Sequence, residues 1–149
     1  MILDGQLQFS AAQAVTAAVA STNNIDVGEA RNLGEGKDLY VALIVATALT
    51  DGGANTGVQV SLYGDTSTSF TPAGQQLLFT VPKNAALASG PYYAKLSPDF
   101  VAGTLAASYR FMELFYNPTG ANLTGGAFTS YLTTDIAGFK AYAKGYTIS

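Results

Sequence analysis

Hydrophobic and polar residues alternate along much of this 149-residue chain, with a period of two. Such alternation is typical of β-strands, in which successive side chains point to opposite faces of a sheet. It is clearest over residues 39–49, where the odd positions carry mostly Leu and Val and the even positions mostly Ala. This segment is predicted to form a strand with one face in the core and a second face that is also covered.

The same period recurs in other segments, which are separated by turn-forming residues. Residues 11–20 are rich in Ala, which suits a helix, but their alternation favours a strand. In residues 76–81, Leu77, Phe79 and Val81 are predicted to share one face of a strand. The sequence Asn-Pro-Thr-Gly at 117–120 predicts a turn. The predicted strands span residues 2–9, 11–20, 39–49, 58–63, 76–81, 91–97, 108–116 and 127–133, and residues 136–143 fit either a helical turn or a ninth strand.

About eight strands, several of them separated by turns at a regular spacing, predict an all-β protein. The pattern is typical of an antiparallel β-sandwich or jelly roll and does not show the alternation of strands and helices found in parallel sheets. In a sandwich, two packed sheets bury one face of each strand. Because the chain contains no linker, repeat or low-complexity segment, a single domain of residues 1–149 is predicted.

Charged residues make up only 11% of the chain, and the net charge is −3, whereas ordinary soluble domains contain about 25% charged residues. A weakly charged surface loses little hydration when it is covered, so we expect assembly with neighbouring proteins; a weakly charged secreted monomer is the alternative. The cations are scattered rather than clustered, so no nucleic-acid partner is expected. They are Arg31, Lys37, Lys83, Lys95, Arg110, Lys140 and Lys144.

The composition also restricts the chemistry that the chain can perform. It contains no His and no Cys, which excludes a Ser-His-Asp triad, a Cys-His pair and the usual zinc sites. No spacing among the ten acidic residues singles out a catalytic carboxylate pair. We therefore expect a protein that is not an enzyme, with no catalytic, cofactor-binding or metal-binding residues.

Two loops need an explicit interpretation. Residues 34–38, Gly-Glu-Gly-Lys-Asp, partly resemble a phosphate-binding loop, but Arg31 stands where a Gly is required and Asp38 where Ser or Thr is required. A solvated loop is favoured there, with a polar contact to a partner as the alternative. Residues 65–69 contain a single carboxylate, which is too few for a typical calcium loop.

The longest apolar stretch, residues 39–49, is shorter than the roughly 20 residues that a membrane-spanning helix requires. The first residues lack the basic segment of a signal peptide. We therefore expect synthesis in the cytoplasm and no membrane partner.

The aromatic residues are divided between core and surface. Phe79, Phe111 and Phe115 are predicted to be core residues. Tyr offers a large contact area with a polar tip, which suits an interface, and the two termini are apolar. The predicted interface residues are Met1, Ile2, Leu3, Phe9, Tyr92, Tyr93, Tyr142 and Tyr146, with Tyr131 as a further candidate. For any single Tyr, a place in the core is the favoured alternative.

Five segments of the chain form a recognisable pattern. They are Met1-Ile2-Leu3-Asp4, Gln6-Leu7-Gln8-Phe9-Ser10, Gln13-Ala14-Val15-Thr16, Ser21-Thr22-Asn23 and Tyr142-Ala143-Lys144-Gly145-Tyr146. In these segments the chain resembles the capsid cement proteins of tailed phages related to a Bordetella phage. The resemblance covers the whole chain and is strongest at the N-terminus. It implies a jelly-roll protein on the outer surface of the mature phage head, bound across neighbouring copies of the major capsid protein, with no catalytic residues.

Capsid decoration is thus the expected function, in a virion protein that also binds itself. A homodimer is favoured over a trimer. The alternatives are another virion structural protein, such as a tail or head–tail connector subunit, and a carbohydrate-binding jelly roll, which would require aromatic platforms.

Overall fold

A computed structural model describes residues 7–26, 38–51, 53–68, 74–83, 91–96 and 110–134. Within these ranges the chain forms strands and no α-helix, which confirms the all-β class. The strands are β1 (Gln8–Ala14), β2 (Val19–Ala20), β3 (Ile25–Asp26), β4 (Tyr40–Asp51), β5 (Gly57–Asp65), β6 (Gly74–Val81), β7 (Tyr92–Lys95), β8 (Phe111–Thr119) and β9 (Leu123–Thr133).

The strands form two antiparallel sheets. One has the order β1-β9-β4-β7, and the other has the order β2-β8-β5-β6 with β3 also paired to β8. β2 and β3 pair with different parts of β8, so they act as one interrupted strand. Apart from the β2–β3 and β5–β6 connections, consecutive strands lie in different sheets. This order is that of a jelly roll and confirms the predicted sandwich of about eight strands.

The core lies between the two sheets. β4 supplies Val41, Leu43 and Val45 to it, and β5 supplies alternating Val and Leu side chains with no exposed surface. Full burial of one such side chain stabilises the fold by about 1.5–3 kcal/mol. The predicted core face of residues 39–49 is confirmed at these positions. Thr47 is exposed, at a place where the register between β4 and β9 shifts.

A β-bulge in β6 changes which side chains face the core. Val60 pairs with Phe79, whereas the next residue of β5, Ser61, pairs with Leu77, so Leu78 is the extra residue. A bulge reverses the alternation of the strand beyond it. As a result Phe79 is buried while Leu77 is 55% exposed. The prediction that Leu77 shares a face with Phe79 and Val81 is therefore wrong.

The face of β8 that points to the core is the opposite of the predicted one. Met112, Leu114 and Tyr116 are buried, whereas Phe111 and Phe115 are half-buried on the outer face. The prediction that these two Phe residues belong to the core is wrong. Both faces of this strand carry large apolar side chains, so alternation separates the two faces without showing which of them is inside.

The turn predicted at residues 117–120 begins later in the structure. β8 continues through Thr119, with Pro118 opposite Val58 in β5. Pro lacks a backbone N–H and is tolerated where a strand has a free side. β2 pairs with β8 only at Tyr116 and Phe115, so in the described part of the chain no strand pairs with Pro118 on the side opposite β5. The chain reverses at residues 120–122 instead.

The described strands near the start of the chain have other bounds than predicted. β1 begins at Gln8 and ends at Ala14, and exposed bends separate it from β2, so residues 11–20 are not one continuous strand. Val15 N–H donates a hydrogen bond to the Gly126 carbonyl at 3.0 Å, which holds this bend against β9. Residues 2–6 of the first predicted strand, and residues 136–143, lie outside the described ranges.

A chain of buried hydrogen bonds joins the two sheets. The Tyr116 hydroxyl of β8 lies 2.7 Å from Ser10 Oγ of β1 and 2.8 Å from Ser130 Oγ of β9. Ser10 Oγ donates to Gln13 Oε1, which is only an acceptor. The donors therefore follow one direction, from Ser130 to Tyr116 to Ser10 to Gln13. Each of the three hydroxyls in this series of hydrogen bonds has a partner, as buried polar groups require.

Candidate functional site

The buried side chains form the core, so the candidate contact residues lie on the two outer faces of the sandwich. Each outer face carries a cluster of half-buried aromatic side chains. Among the described residues, no group of three or more acidic, His or Cys side chains is placed to hold a metal ion. In the same ranges, no helix has the length and apolarity needed to cross a membrane.

The four-stranded sheet carries the tyrosine cluster, which consists of Tyr40, Tyr93 and Tyr131 around Ala42. Tyr93 of β7 and Tyr131 of β9 lie directly opposite Ala42 on either side of β4. The Cβ atoms of residues directly opposite each other on neighbouring strands are about 5 Å apart. The small Ala42 side chain, which lies between these larger neighbours, has no exposed surface. Tyr40 lies two residues away on the same face of β4.

The polar groups of the tyrosine cluster lie at its edge and are paired. Gln8 Nε2 donates to the Tyr131 hydroxyl at 2.9 Å. Lys95 Nζ lies 2.7 Å from Asp38 Oδ1, and this contact lowers the pKa of Asp38 below its usual value. Removal from solvent raises the pKa of the Tyr93 hydroxyl. The cluster is therefore an uncharged surface with a neutralised ion pair at its edge.

The five-stranded sheet carries the Glu113 cluster, which consists of Tyr63, Leu77, Phe111, Glu113 and Phe115. Tyr63 of β5 lies directly opposite Glu113 of β8, and Phe111 and Phe115 flank Glu113 on the same face. The rings of Tyr63 and Phe115 stack with their centroids 5.3 Å apart and their planes inclined by 12°. Leu77 of β6 provides the most exposed large apolar side chain in the described ranges.

Glu113 stands among these apolar side chains without a bonding partner. Removal from solvent raises the pKa of its carboxyl, and the nearby charge of Asp65 raises it further. Within the part of the chain that the structure describes, Glu113 forms neither a hydrogen bond nor an ion pair. The Glu113 cluster thus combines exposed apolar area with one uncompensated negative charge.

Comparison with known families gives a match over most of the chain. The family model Bbp16 matches residues 9–132, from β1 to near the end of β9. The chain belongs to the Bbp16 family. This family is named after a Bordetella phage protein, and membership indicates a structural protein of a bacteriophage. No curated protein matches the chain.

Both clusters lie within the part of the chain that matches Bbp16. The structure places Tyr93 and Tyr131, two of the predicted interface residues, together on the outer face of the four-stranded sheet. The predicted residues Met1, Ile2, Leu3, Tyr142 and Tyr146 lie outside the described ranges.

Two predicted interface residues of this Bbp16 chain prove to pack inward. Phe9 has no exposed surface and belongs to the core cluster. Tyr92 packs against the core, with its ring edge-on to Phe79 at a centroid distance of 6.2 Å. The assignment of Phe9 to a contact surface is corrected, because its side chain is held between the sheets. Tyr92 is half-buried, and its place in an interface stays a prediction.

Sequence reasoning missed the Glu113 cluster. Phe111 and Phe115 were expected in the core, yet Glu113 lies midway between them on the same face of β8. A carboxylate is rarely buried without a partner. The signal that identifies the outer face of β8 is therefore Glu113 itself.

Proposed function

We propose that this Bbp16-family chain is a capsid cement protein. In this role it binds the outer surface of the mature phage head and stabilises contacts between subunits of the major capsid protein. The observation that carries the proposal is the family match over residues 9–132, which indicates a phage structural protein. The proposed role requires no catalysis, cofactor or metal.

The two outer faces of the sandwich support this proposal. They point in opposite directions, and each presents several aromatic side chains and few charged ones. Interface cores are enriched in aromatic residues and depleted of charged ones. A molecule with two such faces can contact two neighbours at once, as a protein that bridges capsid subunits must.

The stabilising effect of a cement protein follows from mass action. A protein that binds the expanded lattice and not its precursor shifts the equilibrium toward the expanded lattice. The proposal includes self-association, with a homodimer favoured. Two linked capsid contacts then reinforce each other through their effective concentration.

The experiment compares two states of the phage head. Purified protein is mixed with expanded heads and with procapsids that lack it, and bound protein is measured by sedimentation. We expect saturable binding to the expanded heads alone. Equal binding to both states would contradict a cement role, and absence of binding to either would remove it.

The tyrosine cluster favours a second candidate function, binding of a carbohydrate. Several Tyr rings around a small residue, with amide and ionic groups at the edge, form a surface on which a sugar ring can stack. Glycan-array binding that is lost in Tyr93→Ser and retained in Phe115→Ser would support this function. An array without signal would exclude it for the glycans tested.

A further inference from the structure

One edge of the outer face of the five-stranded sheet shows how this surface accommodates a cation. The Arg110 guanidinium lies over the Phe111 ring, 5.0 Å from its centroid. The same group donates two hydrogen bonds to Asp26, from Nε to Oδ1 at 2.8 Å and from Nη2 to Oδ2 at 2.9 Å. The surface therefore already contains one site in which an aromatic ring and a carboxylate together hold a cation.

The same combination recurs two residues further along β8. Glu113 corresponds to Asp26 of the first site, and the stacked rings of Tyr63 and Phe115 correspond to its Phe ring. In this second arrangement the carboxylate has no cation. Glu113 makes no hydrogen bond or ion pair in the described ranges, and its charged neighbour Asp65 repels it.

The described part of the chain has no basic side chain to spare for Glu113. Lys83 pairs with Asp51, Lys95 with Asp38, and Arg110 with Asp26. An unpaired carboxylate beside aromatic rings is complementary to a guanidinium or an ammonium group. Such a cation can hydrogen-bond to the carboxylate and also form a cation–π contact with the rings. Leu77, 55% exposed on the adjacent β6, adds apolar area against which the methylene groups of Arg or Lys can pack.

We propose that the Glu113 cluster is a docking site for a basic side chain, Arg or Lys, that a partner protein presents among apolar residues. The inference rests on the proposed function insofar as the partner is identified as the major capsid protein. The cation-binding site itself does not depend on that identification.

Protonation of Glu113 removes the charge on which binding depends. The charged and titratable groups on the strands around it are Tyr63 and Asp65 of β5, Asp26 of β3, and Arg110. Asp26 and Arg110 neutralise each other, and Glu113 supplies the negative charge that a basic side chain would meet. Binding of the basic side chain is therefore expected to weaken as the pH falls through the raised pKa of Glu113.

The site can be tested with a small probe and the full chain. N-acetylarginine amide is titrated into isotope-labelled protein, and NMR shifts are followed for backbone amides of β5 and β8. We expect saturable shifts around Tyr63 and Glu113, and none with N-acetylglutamine amide. Glu113→Gln should weaken binding about tenfold. Asp38→Asn removes the same charge from the opposite face and should leave binding unchanged.

Three results would overturn the proposal. The probe could fail to shift the β5 and β8 amides, it could bind Glu113→Gln as well as the original chain, or it could bind only after Lys140 and Lys144 are both replaced by Gln. The last result would assign the site to the chain's own lysines. Unfolding curves of every variant show whether a loss of binding reflects a loss of structure.

Binding to phage heads then separates this inference from the proposed function. If the original chain binds expanded heads and Glu113→Lys binds at least about tenfold more weakly, both are supported. If Glu113→Lys binds heads as tightly as the original chain, the major capsid protein is not the basic partner, and that identification fails while the cement role stands. If the original chain binds the arginine probe and not the heads, the cement role fails alone.

Discussion

The Tyr116 hydroxyl links three strands through the chain of hydrogen bonds that runs from Ser130 to Gln13. Tyr116 also stacks on Phe128, with ring centroids 5.4 Å apart. Its ring is thus a core side chain, while its hydroxyl satisfies two Ser hydroxyls that have no exposed surface. A buried polar group without a partner lowers the stability of the fold by more than the hydrogen bond adds to it when the bond is made.

We expect Tyr116→Phe to lower the free energy of unfolding by about 1–3 kcal/mol, because Ser10 and Ser130 lose a hydrogen-bond partner in the core. Urea unfolding measures the change. Tyr131→Phe is the control, since its half-buried hydroxyl accepts one hydrogen bond from Gln8 at the surface, and a change within about 0.5 kcal/mol is expected. Equal losses in the two variants would contradict the role assigned to the buried chain.

The carboxyl of Glu113 makes stability depend on pH. Its pKa in the folded chain is raised above the usual 4.5, mainly by removal from solvent. Its contribution to stability is therefore full below 4.5 and is lost as the pH rises through the raised value. We expect Glu113→Gln to be more stable than the original chain at neutral pH, and the difference to disappear below pH 4.5.

Unfolding measured at the two pH values checks this expectation, with Asp38→Asn for comparison. Lys95 lowers the pKa of Asp38, so the stability that Asp38 contributes is lost as the pH falls. This pH dependence is the opposite of the one expected for Glu113. A Glu113→Gln variant that is less stable than the original chain at neutral pH would show that the ionised carboxylate has a stabilising partner.

Among the strands, β6 shows most clearly what alternation does and does not predict. Its segment contains adjacent Leu77 and Leu78, so two registers satisfy the apolar pattern equally. The bulge opposite Ser61 selects the register in which Leu78 packs against the core and Leu77 points outward. This choice depends on pairing with β5, which local sequence does not encode.

The bulge predicts unequal effects of two substitutions in β6. Phe79→Ala should lower the free energy of unfolding by about 3–5 kcal/mol, because it leaves a cavity in the core. Leu77→Ala should change it by no more than about 0.5 kcal/mol, since Leu77 is 55% exposed. Denaturant titration of both variants checks the difference. Similar losses would indicate the unbulged register instead.

The other strands were predictable where one face is clearly more apolar than the other. The odd positions of β4 carry larger apolar side chains than most of its even positions, and the predicted core residues Val41, Leu43 and Val45 are buried. β8 carries large apolar residues on both faces, so its orientation was predicted wrongly. β2 and β3 contain two residues each, too few to show a period.

For the whole molecule, scarcity of charge and scarcity of reactive side chains indicated a protein that works through its surfaces. The sequence predicts Tyr93 and Tyr131 as interface candidates from their residue type, and the structure places them on one outer face. It did not identify the Glu113 cluster, because the positions of Phe115 and Leu77 follow from the choice of face in β8 and from the bulge in β6.

If each outer face contacts a neighbour on the phage head, a change on either face should weaken binding. We expect Tyr93→Ser and Phe115→Ser each to lower the affinity for expanded heads by about tenfold or more, as loss of an aromatic interface residue commonly does. Ala17→Ser, in the exposed bend before β2, should bind normally. Sedimentation with heads measures the affinities, and normal binding of both aromatic variants would contradict contact through these faces.

A density map of the purified virion tests the central claim most directly. A cement role predicts a two-sheet sandwich in many copies on the outside of the shell, with each copy touching more than one major capsid protein subunit. Density for this fold confined to the tail, to the head–tail connector or to the interior of the shell would contradict the claim, as would its absence from the particle.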